Sequence, residues 1–160
     1  METIITIFTV LSMYLNASTN ENSNFAYNAD IENGAVKTMY VYERNGDSLK
    51  QKLVYHFNYD NEGRLIEKTT CRWNTVYNNY LPESQLQLTY HNDGYELALS
   101  QWNQEQKTWT PALEKALYCF DLDHLVSVNY LRLNQEGDYR TVEELTISNP
   151  YYNTLLAGSK

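Results

Sequence analysis

Basic residues are scarce in this chain. Its 160 residues hold 12 Lys and Arg against 20 Asp and Glu, a net charge of −8. A sequence-independent nucleic-acid binder needs a basic footprint, and docking on anionic lipid needs basic residues too, so the balance argues against both. There are two cysteines, Cys71 and Cys119, with no Cys-x-x-Cys. The three histidines, His56, His91 and His124, form no His-x-x-x-His. The ligand spacing of a zinc centre is therefore missing, as are a Gly-x-Ser-x-Gly elbow and a phosphate-binding loop. Helical periodicity is absent apart from the stretch 111–117. Phenylalanine is rare as well: 4 Phe stand beside 15 Tyr and 3 Trp. Tyrosine tolerates a half-wet position, so the apolar content reads as a broad, partly exposed aromatic surface more than a thick dry interior.

No apolar run is long enough to span a bilayer. The longest, 4–15, suits the apolar region of a signal peptide, and residues 1–19 are read as one. The leader is imperfect: Glu2 stands where a basic residue is usual, and neither Leu15 nor Asn16 is the small residue wanted before a cleavage site. The competing reading is a buried N-terminal strand, because residues 3–10 are rich in β-formers. No cysteine lies near this segment, which excludes a lipoprotein anchor. Residues 20–35, rich in Asn, Ser, Glu and Asp, read as a flexible linker.

What the chain does contain is a repeated turn. Tyr59-Asp60-Asn61-Glu62-Gly63-Arg64-Leu65 reads as a strand, a type I turn with a glycine-closed bulge, and a second strand. Asp60 caps the turn, and Gly63 takes the left-handed position. Tyr90-His91-Asn92-Asp93-Gly94-Tyr95 follows 31 residues later, and Phe120-Asp121-Leu122-Asp123-His124-Leu125 follows after 30 more. Such a period marks a repeat array whose units stack on their neighbours. The turn predicts that Tyr59 meets Leu65, Phe57 meets Glu67 and Leu53 meets Cys71. One face would then carry Leu53, Tyr55, Phe57, Leu65, Cys71 and Trp73, with Lys68 and Arg72 on the other.

Extended to the whole chain, this predicts an all-β antiparallel meander of four hairpins over 36–148, about eight strands, open or strongly curled. A closed eight-stranded barrel is the alternative, and 149–160 is a tail. The least regular strand is 109–120, where residues 111–117 have fair helix propensity. In the C-terminal half the same rule groups Ala98, Ser100 and Trp102 with Tyr118, Val128 and Tyr130. Leu97, Leu99, Leu113, Leu117, Leu131 and Leu133 then form a second apolar face, which the N-terminal segment, sheet curvature or a second subunit must cover. Cys71 and Cys119 fall three strands apart, about 14 Å, on opposite faces. They are expected to stay free, because a bridge needs Cα atoms within about 7 Å.

Tyr-Asp-x-x-Gly-Arg-Leu at 59–65, followed by Lys68 and Arg72-Trp73-Asn74, resembles the tyrosine–aspartate repeats of bacterial secreted and surface proteins. Residues 37–42, a second Trp102-Asn103 and residues 114–118 add to the pattern. Over about residues 36–147 the chain is similar to a domain-of-unknown-function family of small exported proteins from gut Gram-negative anaerobes. The chain departs from the pattern where His91 replaces Asp and His124 replaces the turn Gly. The resemblance implies export, to the periplasm or beyond, and a β-rich fold. It supplies no catalytic residues.

Functional signals rest on the aromatic residues. Trp73, Tyr77, Tyr80, Trp102 and Trp109 cluster at the longer loops, all at one end of the predicted sheet. Flat rings with a wet edge stack on sugars and anchor protein interfaces, and they also build the cross-strand ladders that hold a thin sheet together. The leading reading is a non-catalytic binding module with a glycan or protein ligand and no cofactor or metal. Membrane insertion is not expected once the signal is removed. The second reading is a self-associating structural element, in which a sheet edge or the second apolar face forms a homo-oligomer. The third is a hydrolase using paired carboxylates such as Glu67, Glu96 or Glu114, against which stands their pairing with Lys and Arg across strands. Asp60, Asp93, Asp121 and Asp123 could bind calcium, but turn capping explains Asp60 and Asp121 more simply.

Overall fold

The turn at 60–63 forms as its residues require. In the computed structural model, which describes residues 4–20, 22–121 and 124–146, Asp60 Oδ1 accepts from the Glu62 and Arg64 N–H groups, both at 2.9 Å. Gly63 N–H donates to the Asp60 carbonyl at 3.0 Å, and Gly63 sits at φ +74°. Desolvation pushes the Asp60 carboxyl up, but the hydrogen bonds from Arg64 and Glu62 outweigh it and hold the carboxyl below its usual value. The same geometry returns at 134–138. There the Asn134 side chain accepts from Glu136 and Asp138 N–H, both at 2.9 Å, and Gly137 takes φ +90°. The third sequence copy includes Leu122 and Asp123, which lie outside the described residues, as does the tail 149–160.

These turns join ten strands: β1 (Phe25–Glu32), β2 (Ala35–Asn45), β3 (Ser48–Tyr59), β4 (Leu65–Asn74), β5 (Asn79–His91), β6 (Gly94–Asn103), β7 (Thr108–Trp109), β8 (Glu114–Asp121), β9 (His124–Leu133) and β10 (Tyr139–Thr146). All pairs are antiparallel and follow chain order, except that β7 and β8 both pair with β6. The sheet runs from β1 to β10 without closing, so the all-β meander stands and the barrel alternative does not. Two strands were not expected. β1 occupies the segment read as linker, where Phe25, Tyr27, Ala29 and Ile31 alternate with Ala26, Asn28, Asp30 and Glu32. Asn33 (φ 51°) and Gly34 (φ 79°) then make the two-residue turn that Asn-Gly favours. β7 is the start of the expected strand 109–120, which breaks at Pro111, a residue with no N–H to give the ladder.

The register departs from expectation one residue past the turn. Tyr59 meets Leu65, but Ile66 is then an extra residue, so Phe57 meets Lys68, Tyr55 meets Thr70 and Leu53 meets Arg72. A bulge of this kind shifts every later side chain to the other face. Leu53, Phe57 and Leu65 therefore share one face, here called inner, while Cys71 and Trp73 lie on the outer face with Val54. Lys68 comes inward, 4.2 Å over the Tyr55 ring, and burial lowers its pKa.

The C-terminal half also departs from expectation, through loop length and not a bulge. Asn103 meets Thr108 across a four-residue loop, which sets the parity, the two residues gained across Thr110–Leu113 leave it unchanged, and Tyr118 returns opposite Tyr95, with rings stacked at 4.6 Å. Tyr118 thus joins Leu97 and Leu99 on the inner face, away from Ala98, Ser100 and Trp102, and the six leucines do not form one face. Cys71 and Cys119 are free, as expected. The register puts both on the outer face, so distance and not direction keeps them apart.

The inner face is covered by the N-terminal segment. Residues Ile7–Ser18 form α1, started by a capping box in which the Thr6 side chain accepts from Thr9 N–H and the Thr9 side chain accepts from Thr6 N–H. The β-formers at 3–10 give way to helix because Ile7, Val10, Leu11, Tyr14 and Ala17 then fall on one side, toward the sheet. Val10, 3% exposed, joins Val36 (0%), Met39, Phe57, Leu65 and Leu88 in a single buried cluster. Just before the helix the chain runs like a short strand along the turn: Leu65 N–H donates to the Ile5 carbonyl at 2.7 Å, and Ile7 N–H to the Gly63 carbonyl at 2.9 Å. Among the described residues no helix is long and apolar enough to cross a membrane.

Gly94 has a different role from Gly63. His91 pairs with Gly94 across a two-residue turn, and a Cβ on Gly94 would collide with the Tyr118 carbonyl oxygen of β8. Gly94→Ala should therefore cost about 1–3 kcal/mol through overpacking, read as a lower urea midpoint, while Gly34→Ala strains only its own backbone. A second expectation concerns two phenols. Tyr59 donates to the Val36 carbonyl at 2.9 Å and Tyr90 to the Leu65 carbonyl at 2.7 Å. Burial pushes both up to about 12 from the ordinary value near 10. Because the unfolded phenols ionise first, their contribution to stability should be level below pH about 10 and fall between about 10 and 12. Urea midpoints across that window should drop less steeply in Tyr90→Phe than in the parent.

Candidate functional site

Two hairpin tips at one end of the sheet are built alike. In each, a strand ends in Trp-Asn, and the Asn side chain accepts two backbone N–H groups of the loop. Asn74 Oδ1 takes Val76 at 2.9 Å and Tyr77 at 3.0 Å, while Asn103 Oδ1 takes Glu105 at 3.0 Å and Gln106 at 2.9 Å. Each loop then closes through a residue in the left-handed region, Asn78 (φ 49°) or Lys107 (φ 52°). The return strand brings an aromatic residue directly across from the Trp. Trp73 meets Tyr80 with centroids 4.9 Å apart at 71°, and Trp102 meets Trp109 at 5.1 Å and 72°. These edge-to-face pairs clasp the hairpins beside their loops. The Trp102 indole N–H donates to Gln104 Oε1 at 3.1 Å.

The two hairpins part near their tips. β5 and β6 pair from Ser84↔Gln101 inward, and no ladder joins them beyond that point. The notch so formed, of about 330 Å³, has Trp73, Leu81 and Pro82 on one side and Trp102 on the other. Asn74, Gln104, Arg72 and Glu83 line it as well. Arg72 Nε donates to Glu83 Oε1 at 2.7 Å, so the ion pair presents little net charge. A second hollow, lined by Glu43, Lys50, Lys52, Arg72 and Trp73, adjoins the first at Trp73 and Arg72.

Of the five residues read from sequence as a ligand surface, Trp73 and Trp102 line the same notch. Tyr80 and Trp109 stand behind them as clasp partners, and Tyr77 projects from its loop, 68% exposed. All four clasp rings fall on the outer face, opposite the buried cluster. Sequence reading missed Arg72, Pro82, Glu83 and Gln104. Glu83 is an extra residue at a bulge in β5, a position that strand alternation alone does not reveal.

The carboxylates weighed for acid–base chemistry are engaged across strands. Glu96 pairs with Lys115 at 2.9 Å, Glu114 with Arg132 at 3.0 Å, and Glu67 accepts from Asn58 at 2.9 Å. Among the described residues no group of three or more His, Cys, Asp and Glu is placed to hold a metal ion.

Fold and site define a class: a single open antiparallel sheet with one covering helix and a pair of aromatic-clasped hairpins at one end. Within that class the chain belongs to DUF3836, a family of unknown function whose model matches residues 1–120. Three crystal structures share the fold. A protein of unknown function from Bacteroides fragilis is 21% identical, with a TM-score of 0.71 over 84% of this chain and 98% of that one. DUF3836 proteins from Bacteroides vulgatus and Parabacteroides distasonis are 24% and 20% identical, each with a TM-score of 0.54, over 56% and 59% of this chain and 91% and 89% of theirs. No curated protein sequence matches the chain.

If the clasps hold the tips, double-mutant cycles should show it. Trp102→Ala with Trp109→Ala, and Trp73→Ala with Tyr80→Ala, should each return a coupling of about 0.5–1.5 kcal/mol in urea denaturation. A coupling near zero would mean that the rings are neighbours without being partners.

Proposed function

We propose that this protein is an exported, non-catalytic binding module whose ligand, a glycan or a protein segment, enters the notch between the two clasped hairpins. The observation that carries this is the parting of β5 and β6, which leaves Trp73 and Trp102 facing a common space on adjacent hairpins. A clasp alone would need no such gap. Uncharged amides at Asn74 and Gln104, together with the neutralised Arg72–Glu83 pair, suit a ligand recognised by ring stacking and hydrogen bonds. Export is supported by α1 itself. Its outward side carries Phe8, 80% exposed, with Met13 and Leu15, among the polar Thr9, Ser12, Asn16 and Ser18. Covering the sheet does not call for three large apolar residues on that side, whereas a leader is read for hydrophobicity as such.

Glycan and peptide arrays probed with the purified protein test the binding reading. Trp73→Ala and Trp102→Ala should each weaken a hit at least tenfold. Ile31→Ala, distant from the notch, should leave it unchanged. Absence of any hit on either array, or hits indifferent to both Trp changes, would retire the notch as a site. Export is read separately, from the compartment and N-terminal mass of the protein expressed in a Gram-negative host.

A further inference from the structure

Resting on the notch as a binding site, we infer that its ligand is an anionic glycan: a sugar ring lies between Trp73 and Trp102, and an acid group on the same chain reaches Lys50 in the adjoining hollow.

Hydrogen-bond polarity carries this. Besides the indoles, the polar side chains lining the notch are Arg72, Asn74, Glu83 and Gln104, and their acceptor atoms are already engaged. Asn74 Oδ1 holds the Val76 and Tyr77 N–H groups, and Gln104 Oε1 holds the Trp102 indole N–H. The two Glu83 oxygens hold Arg72 Nε at 2.7 Å and Nη2 at 3.2 Å. Because each partner of the two amides is itself an N–H, it fixes which amide atom is the oxygen. What remains on offer is donors: the NH2 groups of Asn74 and Gln104, and the N–H groups of Arg72 beyond the two on Glu83.

The second hollow, of about 370 Å³, adds charge to that pattern. Glu43 takes Lys52 Nζ at 3.4 Å, while Lys50 beside them has no ion-pair partner among the described residues. Gln51 and Thr75, also on its wall, can donate or accept. Across the two hollows the cations Lys50, Lys52 and Arg72 meet only the carboxylates Glu43 and Glu83. The lining thus favours an anion, in a chain whose net charge of −8 repels one elsewhere.

Trp73 borders both hollows, so a ligand held in the notch continues past it into the second. A sugar hydroxyl accepts as well as donates and can turn its lone pairs to the amide NH2 groups. A carboxylate or sulfate ester offers acceptors alone, and ionised acceptors make the stronger bonds. A peptide matches less well. Its backbone N–H can only donate, and no free side-chain acceptor meets it in the notch. The flat face of a sugar also suits indoles that Tyr80 and Trp109 steady edge-to-face.

Titration calorimetry on the intact chain tests this with two acidic oligosaccharides, a polyuronate and a sulfated galactan. Each is run beside its neutral counterpart, carboxyl-reduced or desulfated, and beside an oligoglutamate peptide. At least one acidic sugar should bind about tenfold or more tighter than its neutral counterpart and than the peptide. The arm that binds names the acid group. Gln104→Glu keeps an oxygen for the Trp102 indole but replaces the NH2 with an acceptor, and should weaken the acidic sugar about tenfold or more. Lys50→Gln should weaken the acidic sugar several-fold and leave its neutral counterpart unchanged. Equal binding of acidic and neutral sugars, lost in Trp73→Ala, would overturn the acid group while the notch stands. Preference for oligoglutamate would make the occupant a peptide. Acidic-sugar binding indifferent to both Trp73→Ala and Trp102→Ala would remove the notch itself, and no binding by any sugar would end the glycan assignment.

Discussion

Everything in this sheet depends on where single extra residues interrupt its ladders. In a pleated strand, direction alternates with perfect regularity, so one inserted residue exchanges the two faces for the remainder of that strand. Ile66 is such a residue, directly after the turn at 60–63. Without it Trp73 would lie over the inner face beside Leu53, and Lys68 would point to solvent. With it, Leu65 is kept in the cluster beneath α1 while the Trp73 clasp is delivered to the outer face, where Trp102 also lies. Lys37, Lys52 and Glu83 occupy similar extra positions in β2, β3 and β5. Each of these three places a charge where regular alternation would bring another residue. Lys37 lies over the Tyr59 ring, Lys52 over the Phe25 ring, and Glu83 holds Arg72.

A thin sheet with one short helix cannot bury much, and its composition reflects that. Tyrosines do the work that phenylalanine and leucine do in a thick core, because a buried ring can still place its hydroxyl on a carbonyl. Tyr59 and Tyr90 do so at Val36 and Leu65. Elsewhere rings pack on rings in pairs: Tyr95 on Tyr118, Trp73 on Tyr80, Trp102 on Trp109. Cross-strand pairs of this kind are the unit of stabilisation in a sheet that lacks a second layer. The acidic excess is consistent with the same economy, since Glu96, Glu114 and Glu83 each meet a cation on a neighbouring strand.

The architecture was legible in the sequence because turn chemistry is local. Asp60 and Gly63 define their bend without help from the rest of the chain, and so do Asn45-Gly46 and Gln135-Glu136-Gly137. The Asn33-Gly34 turn is equally local, but the polar composition of 20–35 masks the alternation of Phe25, Tyr27, Ala29 and Ile31. What could not be read was parity. No residue type announces a bulge: Ile66 looks like any strand residue, and the error it introduces reaches Cys71 and Trp73 undiminished. The grouping of the aromatic residues at one end survived this error, because the end of a strand is set by its turns and only the face is set by the bulges.

The two ends of the sheet are consequently built differently. At the end of the 60–63 and 91–94 turns the backbone is tightly capped: Asp60 satisfies two N–H groups, and Gly94 lets β8 approach. What lies there is apolar and is covered by the segment around Ile5–Ile7. At the other end the loops 74–79 and 103–108 are longer and held by asparagine side chains, and the hairpins carrying them separate. Separation costs the ladder hydrogen bonds that β5 and β6 could have made beyond Ser84 and Gln101, each worth about 0.5–1.5 kcal/mol net. The edge-to-face pairs behind Trp73 and Trp102 offset part of that loss within each hairpin, so each tip stays ordered without leaning on the other. A fold selected for stability alone would close the gap. The gap stays open with a tryptophan on either side, which is why the proposed binding site is placed there.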